Sequence, residues 1–166
     1  PGNKKIPNLM KNKDTIILVA GGCGLIGSNF VKKILNKRYN IIVIDNLSSG
    51  YLDNLKKINN FSKNNKKVKF FNFDLNKKNQ LEKVFKTYKI DYIFHFAAFS
   101  NVEMSIKNPK KVMNNNINST KNLIYFVKKY GIKNFIFSSS ASVYGNVNFR
   151  NNIKENHYTK PINPYG

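Results

Sequence analysis

An α/β fold with a doubly wound parallel sheet is expected from three features of this 166-residue chain. Short apolar runs recur without polar alternation, as strands buried on both faces do. Stretches of helical periodicity separate them. A glycine cluster stands where the first apolar run gives way to the first helix, the kind of join at which such sheets hold ligands. Hydrophobic residues make up 41% of the chain, with 13 Phe and 9 Tyr, so a core can form and a disordered chain is excluded.

Residues 1–13 form a polar N-terminal extension with no apolar signal core. The expected domain covers 14–166 and opens with "TIILVA" (Thr15–Ala20), a buried strand. Between Leu25 and Lys37, Ile26, Phe30 and Ile34, with Val31 and Leu35, fall at helical spacing opposite lysines. "IIVID" (Ile41–Asp45) is the second strand and "VKFFNF" (Val68–Phe73) the third. The helix between them is the least marked by periodicity. The Lys/Asn-rich stretch from Lys56 to Lys67 reads as a surface loop beside it. Leu81, Val84, Phe85 and Tyr88 make the next helical stripe, and "DYIFHFAA" (Asp91–Ala98) a fourth strand. Pro109 can open a further helix, with Met113, Ile117, Thr120, Ile124 and Val127 expected on its inner face and Gly131 ending it. "NFIFSSS" (Asn134–Ser140) is the fifth strand. Strands and helices therefore alternate, which calls for right-handed crossovers and a sheet covered on both sides.

The net charge of +21 raises the question of nucleic acid. Lys and Asn are abundant together along the whole chain, however, as A/T-rich codons would make them. Only two arginines, Arg38 and Arg150, are present, and Arg is the residue suited to bidentate base contacts. No specific nucleic-acid partner is expected, only a general affinity for anions. No apolar run approaches the ~18 residues of a membrane span. The single Cys23 cannot form an internal disulfide, which suits a reducing, cytoplasmic setting. No metal site is read.

The glycine cluster is "GGCGLIGS", Gly21 to Ser28. It matches G-x-G-x-x-G at Gly22, Gly24 and Gly27, and G-x-x-G-x-x-G at Gly21, Gly24 and Gly27. Such a pattern is weak alone and selective at a strand-to-helix turn. There the glycines admit a pyrophosphate to the backbone, and the helix N-terminus offers it N–H groups and a partial positive charge. Ser28 stands where a Walker loop needs Lys, so an ATPase reading loses its support. A glycine turn without ligand is the plain alternative. Asp45 ends the second strand, where the Rossmann dinucleotide fold places an acid on the adenosine ribose; a carboxylate there favours NAD over NADP. Its plain alternative is a cap for the turn "DNLSSG".

In order, "GGCGLIGS", "VIDNLSSG", "FDL", "HFAAFSNVEMS", "NNNINSTKNL", "FIFSSSASVYG" and "PINPYG" resemble the extended short-chain dehydrogenase/reductase family, and within it the UDP-glucose 4-epimerases. The resemblance runs from about Thr15 to the last residue. It implies that Gly21, Gly24, Leu25, Ile26 and Gly27 hold the NAD pyrophosphate. Asp45, Asn46, Leu47, Ser48, Ser49 and Gly50 would surround the ribose, and Asp74 and Leu75 the adenine edge. Phe96, Ala97 and Ala98 would pass under the cofactor, and Asn115 would face it. Ser138 would lie near the nicotinamide, and Ser100 stands where these epimerases often carry Lys. His95 is given no role and reads as a core group; His157 reads as a surface residue. Dehydratases of the family usually place an acidic pair before "VYG", which is absent here.

The same resemblance implies Ser140 and Tyr165 as catalytic residues, completed by a Lys four positions past Tyr165. The activity implied is an isomerase: a sugar 4-hydroxyl of UDP-glucose or UDP-galactose is oxidised to a transient 4-keto group and reduced from the other face. A free tyrosine has a pKa of ~10, so its phenolate needs a nearby cation such as that Lys. The 166 residues alone are accordingly expected to be inactive, as an N-terminal piece without the C-terminal substrate domain, with the fifth strand left as an edge. The whole protein is expected to be a homodimer. Enzymes acting on UDP-glucuronate or UDP-N-acetylhexosamines, dehydratases, decarboxylases and a non-catalytic NAD-binding protein remain as alternatives.

Overall fold

The computed structural model describes residues 14–35, 37, 39–61, 68–147 and 152–166. The N-terminal extension (1–13) and the end of the Lys/Asn-rich stretch (62–67) lie outside the described residues. The elements are β1 (Ile16–Ala20), α1 (Leu25–Leu35), β2 (Asn40–Asp45), α2 (Leu52–Phe61), β3 (Val68–Asn72), α3 (Lys78–Thr87), β4 (Tyr92–His95), α4 (Val102–Lys107), α5 (Pro109–Tyr130) and β5 (Asn134–Phe137), followed by a 3₁₀ turn, Ala141–Tyr144.

All pairings are parallel, and the strand order is β3-β2-β1-β4-β5. The order reverses between β1 and β4, which is the switch point of a Rossmann sheet. Alternate residues of each central strand point to opposite faces. Leu18, Ala20, Ile42, Ile44 and Ile93 pack against Leu81, Val84 and Phe85 of α3 and Leu123 and Phe126 of α5. Ile17, Val19, Ile41 and Val43 pack against Val31, Ile34 and Leu35 of α1 and Leu55 and Ile58 of α2. Two buried faces explain why these strands carry no polar alternation. Aromatic contacts lock each layer: Phe85 stacks on Phe126 at 4.7 Å between ring centroids, and Phe30 of α1 meets Phe94 at 4.3 Å.

Several expectations need correction. The fourth and fifth strands end at His95 and Phe137, short of Ala98 and Ser140, because the chain beyond them lines two adjoining cavities instead of pairing. Helix α4 follows β4 and was not anticipated; Asn101 caps it, its Oδ1 accepting from the Met104 N–H at 2.8 Å. The inner face of α5 is centred one residue before the expected row, of which Thr120 and Val127 still turn inward. Val112, Ser119, Leu123 and Phe126 are buried, whereas Met113, Ile117 and Ile124 are exposed. Both rows are mainly apolar at helical spacing, each with one hydroxyl residue (Ser119 or Thr120), and the buried ring of Phe126 stacks on Phe85. Ile26 likewise is exposed at the start of α1 rather than packed with Phe30.

Candidate functional site

The site begins where β1 ends. Gly21 adopts a left-handed conformation (φ +81°), and a Cβ on it would lie 2.5 Å from the Ala97 nitrogen. The loop thus lies tightly against the chain leaving β4. Gly27 packs the start of α1 onto the same loop: its missing Cβ would overlap the Gly21 carbonyl oxygen. Above Gly24 the space is open, with no contact nearer than 3.5 Å. Leu25 and Ile26 are exposed in the first turn of α1, which holds no acidic residue, and the first N–H groups of a helix have no intrahelical acceptor.

Asp45 closes β2 beside this loop and is 9% exposed. Its Oδ2 accepts from the Cys23 N–H and its Oδ1 from the Leu47 N–H, both at 2.9 Å. The turn-capping role is therefore real, and the carboxylate also lines the cleft. The second half of the turn is fastened to the glycine loop. The Tyr51 N–H (3.1 Å) and the Asn54 side-chain amide (2.9 Å) both donate to the Cys23 carbonyl. Burial, and then the Asp45 carboxylate, push the Cys23 thiol up to about 12, so it is not a nucleophile at neutral pH. On the far wall Asn46 donates to Asp74 (3.1 Å), and Asn76 to Asn115 (2.8 Å).

Gly21, Gly24, Asp45, Asn46, Ser48, Ser49, Gly50, Asp74, Leu75, Phe96, Ala97, Ala98 and Asn115 line one continuous cleft. Leu25, Ile26, Gly27, Leu47 and Ser100 do not. Gly27 is packed inside the loop, and Leu47 (φ 57°) turns against the core. Ser100 is exposed beyond Phe99, whose backbone N–H and C=O are both bound by the Asn116 side chain (2.8 and 3.1 Å). Ile44, Phe73, Phe99 and Ser119 also line the cleft and were missed. The first three adjoin expected positions, and Ser119 lies one helical turn beyond Asn115. The two inward asparagines of Asn114–Asn116 thus have distinct structural tasks.

A second cavity of about 180 Å³ is lined by Ser138, Ser139, Ser140 and Tyr165, together with Asn116 and Thr120 of α5. Ala97 and Ala98 line both spaces, so the two adjoin. Ser140 caps the 3₁₀ turn, its Oγ accepting from the Ser142 N–H at 3.1 Å; its own hydroxyl proton is left to donate. The segment carrying Tyr165 is packed down. A Cβ on Gly145 would overlap the Lys160 carbonyl, and one on Gly166 would lie 2.5 Å from the Ser142 carbonyl oxygen. Among the described residues no cluster of His, Cys, Asp or Glu could hold a metal. No helix among them is long and apolar enough to cross a membrane.

The family model described as GDP-mannose 4,6 dehydratase matches residues 18–166. The chain belongs to that family. Among curated proteins, it is 40% identical over 153 residues to the "Bifunctional protein GAL10" of Pachysolen tannophilus, a match covering 90% of this chain and 22% of that protein. Among solved structures of the kind, the UDP-glucose 4-epimerase of Bifidobacterium longum in complex with NAD⁺ and UDP superposes with a TM-score of 0.84 at 34% identity, covering 91% of this chain and 44% of that one. The UDP-Glc/GlcNAc 4-epimerase of Campylobacter jejuni gives 0.83 at 37%, covering 92% and 45%. The chain spans less than half the length of these relatives.

Proposed function

We propose that this chain forms the NAD-binding region of a nucleotide-sugar epimerase that interconverts UDP-glucose and UDP-galactose through a transient 4-keto sugar. One observation carries the reading: Ser140 and Tyr165 line a cavity that adjoins, through Ala97 and Ala98, the cleft lined by Gly21, Gly24 and Asp45. Binding a dinucleotide alone requires neither hydroxyl.

The residues present suit NAD. The open space over Gly24 and the acid-free start of α1 suit a diphosphate near Gly21, Gly27, Leu25 and Ile26. Asp45, with Asn46 and the Leu47–Gly50 turn, suits the adenosine ribose, since each carboxylate oxygen keeps a lone pair beyond its backbone bond. Asp74 and Leu75 would border the adenine, and Asn115, Ser138 and Phe96 the remainder. Ser100 would act, if at all, from outside the cleft. Bound NAD would supply reversible hydride acceptance. Tyr165 would take and return the proton of the sugar 4-hydroxyl, and Ser140 would donate a hydrogen bond to the reacting oxygen.

An epimerase is favoured over a dehydratase because, among the described residues, no carboxylate lines the second cavity; eliminating water needs an acid–base pair there. An activity on UDP-N-acetylhexosamines is the second reading, favoured by the likeness to the Campylobacter jejuni enzyme. A homodimer is supported by the exposed row Met113, Ile117 and Ile124 on α5, with Val102, Met104 and Ile106 exposed on α4. A cytoplasmic setting is supported by the buried free Cys23. The high Lys content is read as composition, with no specific nucleic-acid partner.

The whole gene product, assayed with UDP-galactose, UDP-N-acetylglucosamine and GDP-mannose, should convert the first to UDP-glucose. Tyr165→Phe and Ser140→Ala should each lower turnover by on the order of 10²–10⁴. Turnover of GDP-mannose alone, or variants as active as the parent, would overturn the reading.

A further inference from the structure

His95 is a buried titratable group that the proposed chemistry does not use. It ends β4 and is 1% exposed. Its ring meets Phe137 at 5.5 Å between centroids, and its Nε2 lies 2.9 Å from Thr120 Oγ1. Phe137 and Thr120 both line the cavity of Ser140 and Tyr165. His95 is therefore one contact behind that cavity.

The hydrogen bonds fix which nitrogen carries the hydrogen. The Thr120 hydroxyl lies 2.8 Å from the Asn116 carbonyl oxygen. A carbonyl can only accept, and the hydroxyl has a single proton. With that proton on the bond to Asn116, the Thr120 oxygen accepts, and His95 Nε2 donates. The reverse assignment would place the ring hydrogen on Nδ1, which is buried and has no partner among the described residues. An orphaned buried N–H is rarer than a bare acceptor. Beyond Thr120 the chain continues: the Asn116 side chain holds both backbone groups of Phe99. Phe99 lines the dinucleotide cleft, and Asn116 the neighbouring cavity.

The geometry points to His95 as a positioning residue: the Nε2–H of its neutral ring orients Thr120 and, through Asn116, fixes the wall shared by the dinucleotide cleft and the cavity of Ser140 and Tyr165. What that cavity does rests on the epimerase reading; the hydrogen-bond chain does not. Phe135 and Phe137 from β5, Thr120 from α5 and Ala20 from β1 are its neighbours, and none is charged. Burial accordingly pushes its pKa down to about 4, and the ring stays neutral.

The test uses the whole gene product. Nitrogen-15 NMR of the histidine rings should show His95 as the Nε2–H tautomer, unchanged from pH 8 down to about 5.5, where a free imidazole would be mostly charged. His95→Leu should lower kcat on UDP-galactose by on the order of 10- to 100-fold, the scale of a slightly misplaced site, with KM within roughly twofold. His95→Gln, which keeps a side-chain N–H donor, should recover most of the loss. Thr120→Val should reproduce the defect, and adding it to His95→Leu should cost nothing further. The proposal is overturned by an Nδ1–H tautomer, by protonation near 6.5, by Gln and Leu behaving alike, or by additive losses. If His95→Leu does not fold, Thr120→Val and the parent's tautomer decide. If the parent does not turn over UDP-galactose, the epimerase reading fails, while the tautomer still decides the hydrogen-bond chain.

Discussion

The carbonyl oxygen of Gly21 occupies the place where a side chain on Gly27 would begin. Gly24, in the same loop, has open space above it. The two glycines therefore separate folding from binding. Gly27→Ala should cost about 1–3 kcal/mol in urea unfolding, as overpacking does. Gly24→Ala should change stability by less than about 0.5 kcal/mol yet weaken NAD binding at least roughly tenfold, or about 1.4 kcal/mol, by calorimetry. Equal effects on stability would contradict the division.

Asp45 accepts from two backbone N–H groups with its two oxygens. Asn has only one acceptor oxygen and would turn an NH₂ toward the other donor. Asp45→Asn should lose about 1–3 kcal/mol, the cost of one buried donor left unmet, as well as NAD affinity. Chemical denaturation of the ligand-free protein separates the first effect from the second.

His95 has a pKa lowered from about 6.5 to about 4. Between those values the unfolded chain binds more protons than the folded one, so stability falls as pH falls. The expected slope is at most ~1.4 kcal/mol per pH unit from this ring, beginning near pH 6.5 and levelling near 4. Urea melts of the parent and His95→Gln across pH 4–7 check it: the parent should lose its advantage over the variant within that window.

Cys23 keeps its proton in the folded state, with a pKa raised to about 12. It should resist a thiol-specific disulfide reagent at pH 8 until denaturant opens the domain. Since the unfolded thiol ionises near 8.5, this group's contribution to stability is lost as pH rises above that value. Rapid labelling of the native protein would show the loop around Cys23 to be open.

Ile117 stands in the exposed apolar row of α5. Ile117→Glu should turn a dimer of the whole protein into a monomer in analytical ultracentrifugation. A monomeric parent would remove the homodimer from the proposal.

Most of the sheet was legible because β1 and β2 carry unbroken apolar runs, a demand made by burial on both faces. The loop from Gly21 to Gly27 was legible because Gly21, Gly22 and Gly27 have no room for a Cβ. What escaped depended on partners far away in sequence. The face of α5 was set by Phe85, on another helix. Ser100 left the cleft because Asn116 holds the loop before it. Helix α4 is short, and its periodicity is masked by polar residues. The tautomer of His95 needed Thr120 and Asn116 in place.

The centre of the sheet joins distant parts of the chain. β1 lies between β2 and β4, and the Ile16 N–H reaches the Asp91 carboxylate, 75 residues away in sequence. During synthesis, β1, β2 and β3 can pair early, but one side of β1 stays bare until β4 has left the ribosome. Gly21 meets Ala97 only after that. The glycine loop thus cannot settle until Ala97 has been made, and the waiting apolar edge of β1 is where chaperones would be needed most.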